Sequence, residues 1–167
     1  RYGARKPNDR IALGDGSGEI LELGAGVTGW KIGDRVTAPH FVLWIDGAYS
    51  PAIFARDLGN SADGWLAERI VLPAAALVRV PESLSHDEAA ALGAAGITAW
   101  SVIEAFAGVK AGDVVLALGT GGVSILALQI AKMAGATFAI TSSSDAKLAI
   151  ARELGADITV NYRKQAD

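Results

Sequence analysis

The chain has 167 residues, about half of them apolar and a fifth charged, and a formal net charge of −3. That suits a soluble globular protein with room for one full domain or parts of two. The mild acidity argues against nucleic acid as the main ligand, and the absence of cysteine excludes disulfides, thiolate zinc sites and a cysteine nucleophile in this stretch.

The apolar runs at Val114–Leu118 and Ile125–Ala131 are too short to cross ~30 Å of hydrocarbon, so no membrane partner is expected. The N-terminus carries no signal peptide, and a cytoplasmic location is expected. It also lacks an initiator methionine and opens on polar, turn-like residues, as if cut from a longer chain.

Residues 1–81 read as β-rich and glycine-rich. The alternation in Gly18–Leu23 predicts a half-buried strand, broken by Gly24-Ala25-Gly26. Lys31-Ile32-Gly33-Asp34 predicts a turn that feeds a strand at Arg35-Val36-Thr37. Lys110–Val115 resembles this turn and strand, but two copies do not make a repeat protein. Residues 39–64 have no sustained period and predict a long loop. Short strands are expected at Leu66–Leu72 and Leu77–Val80.

Residues 82–108 read as a helical connector. Ser85 or Asp87 is placed to cap a first helix, and a second is expected from Thr98 to Phe106. From 109 the pattern alternates strand and helix. Val114–Leu118 reads as a strand buried on both faces. A helix over 123–134, a strand over 137–141, a helix over 145–154 and a strand over 158–162 follow. Gly135 and Gly155 sit where a left-handed residue ends a helix. The order βαβαβ implies a parallel sheet with right-handed crossovers.

The first strand leads directly into Gly119-Thr120-Gly121-Gly122-Val123-Ser124. A glycine motif alone is weak, but this one joins a strand to a helix inside a βαβ unit. Gly119 permits the tight turn, and Gly121 lets the backbone approach a pyrophosphate. The free N–H groups of the first helical turn suit the anion. Ser124 replaces the third glycine of the pattern.

An Asp or Glu at the end of the second strand would bind the ribose 2′-hydroxyl of NAD. Ser142-Ser143-Ser144 stands there instead, Asp145 comes late, and Lys147 lies one turn into the helix. Small donors and a positive charge favour a 2′-phosphate, so NADPH is expected, with NADH left open. A plain reading, in which Ser144 or Asp145 caps the helix and Lys147 is solvated, is compatible with either.

Further stretches fit one family in order: Gly14-Asp15-Gly16-Ser17-Gly18-Glu19, Gly24–Thr28, Lys31–Val36, Asp63–Glu68 and Gly96-Ile97-Thr98-Ala99-Trp100. Gly119–Ser124 with Ala127-Leu128-Gln129, Ser142–Asp145 with Lys147, Gly155-Ala156-Asp157 and Asn161-Tyr162 complete the set. On these the chain resembles the medium-chain dehydrogenase/reductase superfamily, and most closely its zinc-independent branch of quinone oxidoreductases and alcohol-dehydrogenase-like proteins.

The resemblance implies an α/β chain: the later part of a GroES-like catalytic domain (1–81), the connector, and the first βαβαβ half of a Rossmann doubly wound sheet (109–167). It implies that Ser143, Lys147 and Tyr162 surround a 2′-phosphate and that Thr98 approaches the nicotinamide. Zinc-dependent relatives carry Gly-His-Glu where Gly14-Asp15 stands, and four cysteines near 39–64. Neither feature is here, so no metal site is expected at His40 or His86. For Trp44 and Trp65, core packing is expected over a place in a substrate cleft. No catalytic acid or base is assigned.

The expected activity is hydride transfer to or from a quinone, enone, or small alcohol or aldehyde, in a full-length homodimer or homotetramer. A cofactor-binding protein without turnover, as among lens crystallins, is the alternative. These 167 residues alone are expected to be poorly stable and inactive.

Overall fold

The computed structural model describes residues 9–164, so the outermost parts of the first and last expected domains, 1–8 and 165–167, lie outside it. The chain forms two compact units, Arg1–Ala94 and Ala95–Asp167. The expected connector is divided between them.

The first unit holds a three-stranded antiparallel sheet of β1 (Ser17–Glu19), β2 (Arg35–Thr37) and β3 (Val78–Arg79), in that order. The strand expected over Gly18–Leu23 is shorter than its alternation. Its pairing ends where Ile20 and Gly33 bond across the Lys31–Asp34 turn, which leaves Leu21 without a partner strand and exposed. The turn itself is as the sequence dictates. Gly33 takes a positive φ of 86°, and the Asp34 carboxylate accepts from the Lys31 N–H.

The segment 39–64 is more ordered than the long loop expected of it. A 3₁₀ helix, Pro51–Arg56, is capped by Ser50. Phe41 packs edge-on to Phe54 at 5.2 Å and forms a bridge with Asp57. No strand forms over Leu66–Leu72. The Trp65 and Leu66 N–H groups donate instead to Leu13 and Ala12, an irregular contact made possible by Gly64, where a Cβ would stand 2.0 Å from the Leu13 carbonyl. Trp65 packs against the core of Ala38, Val42, Leu58 and Ala76. Trp44 does not meet the core-packing expectation: it is 38% exposed and meets Tyr49 edge-on at the surface. Helix α1 (His86–Ala90) closes the unit, with Ser85 and Glu88 forming a reciprocal capping box.

The second unit opens with α2 (Ala95–Trp100), which runs into a π-helical stretch, Ser101–Phe106. The helix expected from Thr98 therefore starts three residues early and ends underwound. Then come β4 (Val114–Leu118), α3 (Gly122–Met133), β5 (Thr137–Ser142), α4 (Asp145–Glu153) and β6 (Ile158–Asn161). The strands are parallel in the order β4-β5-β6, as the βαβαβ pattern predicts. Gly135 and Gly155 end the two helices with φ of 81° and 103°. Phe138, Ile140, Leu128, Ala131, Leu148 and Ala151 form a core with essentially no exposure. The small alanines on α3 and α4 let both helices lie close to the sheet.

β4 is not buried on both faces. Val115 and Ala117 join the core, whereas Val114, Leu116 and Leu118 are 70, 61 and 81% exposed. A continuous apolar run cannot tell a strand covered on two faces from one covered on a single face.

Candidate functional site

The glycine turn sits where β4 ends and α3 begins. Gly119 adopts φ +99°, a conformation that L side chains rarely enter. Its N–H donates to Thr141 Oγ1 at 3.2 Å. The next residue is fastened as well: Thr120 Oγ1 and Ser142 Oγ are 3.0 Å apart. Two hydroxyls at the end of β5 thus hold the turn in place.

Gly121 is the N-cap of α3 and supplies no side-chain cap. The helical ladder begins with Ile125 N–H to Gly121 carbonyl, so the N–H groups of Gly122, Val123 and Ser124 have no ladder partner. By contrast, serines cap α1 and α4. A Cβ built on Gly119 or Gly121 would meet nothing within 4 Å. Open space beside the turn, free donors and the positive end of a twelve-residue helix together make a cradle for an anionic group. These features fit the pyrophosphate of a dinucleotide. Ser124 is partly buried and fits the helix start without disturbing it.

The serine run divides its labour. Ser142 is buried; its hydroxyl serves Thr120 and the Ser144 N–H, so its side chain is committed to the turn. Ser144 caps α4 by accepting from the Lys147 N–H, which is the plain reading of that residue. Ser143 lies between them, half-buried. The Lys147 side chain is exposed and has no partner among the described residues. Tyr162 donates its backbone N–H to the Ser142 carbonyl and leaves its ring exposed. Ser143, Lys147 and Tyr162 therefore all follow the end of β5 or bond to it. Thr98 is exposed on α2, a helix that packs on α3. No hydrogen bond joins its side chain to the turn.

Sequence reasoning missed the partners of Asp145. Asn161 Nδ2 donates to one carboxylate oxygen and Lys164 Nζ to the other. The Lys164 bond, with that of Asn161, holds the carboxyl below its usual range. The negative charge nearest the serine run is thus already answered by a cation. No spacing rule connects residues 145, 161 and 164, which meet only because β6 runs parallel to β5.

Metal donors do not converge. Among the described residues no group of three or more His, Cys, Asp or Glu side chains could hold a metal ion. His86 is a structural fastener: Arg35 donates to Nε2, which leaves the proton on Nδ1 to bond Ser17 Oγ at 2.8 Å. No helix among the described residues is long and apolar enough to cross a membrane.

Two family models match the chain. The alcohol dehydrogenase GroES-like domain covers residues 1–82 and the zinc-binding dehydrogenase model covers 122–167. A zinc-type alcohol dehydrogenase-like protein of Schizosaccharomyces pombe is 46% identical over 90% of this chain and 44% of its own length. A solved NAD-dependent alcohol dehydrogenase superposes with a TM-score of 0.82 at 38% identity, over 95% of this chain and 48% of that one. A quinone oxidoreductase of Pseudomonas syringae superposes with a TM-score of 0.70 at 34% identity, over 91% and 41%. The chain spans about half the length of the relatives it matches.

Proposed function

We propose, from the premise that the chain belongs to the medium-chain dehydrogenase/reductase superfamily, that it supplies the dinucleotide turn and part of the catalytic domain of a zinc-independent, NADPH-linked oxidoreductase. Its relatives are alcohol dehydrogenases and quinone oxidoreductases, so an oxidoreductase is the common ground. The substrate class in this reading is a quinone, enone, or small alcohol or aldehyde. The same reading carries a homodimeric or homotetrameric assembly and a cytoplasmic location, for which the family resemblance is the support.

The observation that carries the proposal is the uncapped N-terminus of α3 beside Gly119 and Gly121. In the bound complex the N–H groups of Gly122–Ser124 hold the pyrophosphate. Ser143, Lys147 and Tyr162 receive the 2′-phosphate, and Thr98 lies toward the nicotinamide. The dinucleotide supplies the hydride chemistry, and the protein orients it and shapes its field. Asp145, which in another setting would repel a 2′-phosphate, is bound to Lys164, and this supports NADPH over NADH. Among the described residues no donor set fits zinc, so no step is assigned to a metal.

Fluorescence titration of the full-length protein with NADPH and NADH tests this. Lys147→Ala is expected to weaken NADPH about tenfold, ~1.4 kcal/mol, and to change NADH little. Equal losses for both would remove the NADPH preference. Binding of neither by the unmodified protein would sink the reading.

A further inference from the structure

Ser142 is the last residue of β5 and is 4% exposed. It offers no open surface to a ligand, yet its hydroxyl stands between two parts of the cofactor site. On one side it lies 3.0 Å from Thr120 Oγ1 in the glycine turn. On the other it accepts the Ser144 N–H at 3.3 Å. Ser144 Oγ in turn accepts the Lys147 N–H at 3.4 Å. Three hydrogen bonds thus run from the turn to the first turn of α4, where Lys147 stands. All of these residues belong to the second unit.

A serine oxygen accepts twice and donates once. The Ser144 N–H takes one lone pair, which leaves Ser142 free to give its proton to Thr120 Oγ1 or to accept the Thr120 proton. In either case one buried oxygen serves both neighbours. Thr141, one residue earlier, accepts only the Gly119 N–H among the described residues, so it braces the turn and not the serine run. The turn needs such bracing. Of residues 119–122 only Thr120 is not glycine, so Thr120 carries the one side chain by which the turn is fastened. Glycine loses more chain entropy on ordering than any other residue, and a loop ordered in advance binds its ligand more tightly. The space beside the braced turn is open: a Cβ on Gly119 or Gly121 would meet nothing within 4 Å.

We propose that Ser142 is a positioning residue that couples the two phosphate-binding parts of the site. Through Thr120 it orders the turn that takes the pyrophosphate. Through Ser144 it orders the start of α4, where Lys147 takes a 2′-phosphate. The inference rests on the NADPH reading above and deepens it: part of the discrimination between NADPH and NADH passes through a buried hydroxyl that touches neither phosphate. Loss of that hydroxyl removes both arms, of which NADH feels one and NADPH feels both.

Fluorescence titration of the full-length protein with NADPH and NADH tests this. Each arm is one hydrogen bond, so Ser142→Ala is expected to weaken NADH about threefold and NADPH about tenfold. Thr120→Val removes the turn arm alone and is expected to weaken both about threefold, and Thr120→Ser, which keeps the hydroxyl, to recover most of that loss. In a Lys147→Ala background the extra loss for NADPH is expected to vanish, so that Ser142→Ala weakens both dinucleotides by the same factor. A merely structural serine gives equal losses in every background, and that result overturns the proposal, as does an extra NADPH loss that persists without Lys147. A further measurement does not depend on the folding of Ser142→Ala. Adenosine 2′-monophosphate carries the 2′-phosphate and no pyrophosphate. In NMR titration of the unmodified protein it is expected to shift the Gly121 amide signal, and to lose that effect in Thr120→Val. A silent Gly121, or a shift indifferent to Thr120→Val, overturns the coupling. Binding of neither dinucleotide by the unmodified protein removes the oxidoreductase reading and this inference together, whereas equal losses remove this inference alone.

Discussion

At the scale of single residues, Gly119 and Gly121 do different things. Gly119 needs glycine for its backbone, at φ +99°. Gly121 has an ordinary φ of −84° and ψ of 175°, so alanine fits its backbone and meets no neighbour. A change there separates folding from binding. Gly121→Ala is expected to leave the urea midpoint unchanged and to weaken the dinucleotide at least tenfold, because the added methyl occupies the space the pyrophosphate needs. Parallel denaturation and cofactor titration check it, and unchanged affinity would show that the ligand lies elsewhere. Asp15 offers a second test, with its sign set by burial, which pushes its carboxyl above the usual range. An acid whose folded pKa lies above its unfolded value costs stability as pH rises through that range. Asp15→Asn is therefore expected to raise the urea midpoint slightly at pH 7 and to change it little in acid. A lower midpoint at pH 7 would mean that the carboxylate has a partner it needs.

At the scale of elements, legibility in the sequence depends on how local the cause is. β4, α3, β5, α4 and β6 are bounded by apolar runs, a serine cap and two terminal glycines, all of which act within a few residues. Their limits follow from the sequence to within one or two positions. The stretch at 39–64 is different. Its order comes from Phe41 meeting Phe54 and Asp57, and no period in the sequence announces those meetings. The same holds for the sites. The glycine turn is a contiguous motif and legible, whereas the Asp145–Asn161–Lys164 contacts join distant residues. One such distant contact couples elements to pH. Asp157 accepts from Lys132 at the end of α3 and from the Phe138 N–H on β5, and the Lys132 bond leads in holding its carboxyl below the usual carboxylate range. A depressed folded pKa gives stability that is present above the unfolded pKa and lost as pH falls through the folded one. Asp157→Asn is thus expected to lower the urea midpoint at pH 7 and to lose that deficit below about pH 4. A deficit that is constant with pH would assign the effect to packing instead.

At the scale of the whole molecule, the sheet of the second unit is covered on one face only. Val114, Leu116 and Leu118 stand in a row on the other, on an edge strand whose outer backbone has no partner strand. Fully burying one such side chain is worth roughly 1.5–3 kcal/mol. Three left in water forgo a sum comparable with the whole stability of a typical domain, about 5–15 kcal/mol. The first unit has its own open apolar groove, lined by Leu21, Val27, Trp30, Trp65, Ile70 and Leu72. Both surfaces argue that these 167 residues alone are marginally stable. An apolar row along an open strand edge also invites pairing between copies. The chain is expected to associate with rising concentration in light scattering and to bind a hydrophobic dye. Leu116→Lys with Leu118→Lys is expected to suppress both effects while the far-ultraviolet circular dichroism stays the same. Both side chains point away from the core of Phe138 and Ile140, so the helices and strands lose no packing by the change. A monodisperse, cooperatively folding monomer that leaves the dye unbound would show that the exposed row is tolerated, and the expectation of low stability would fall with it.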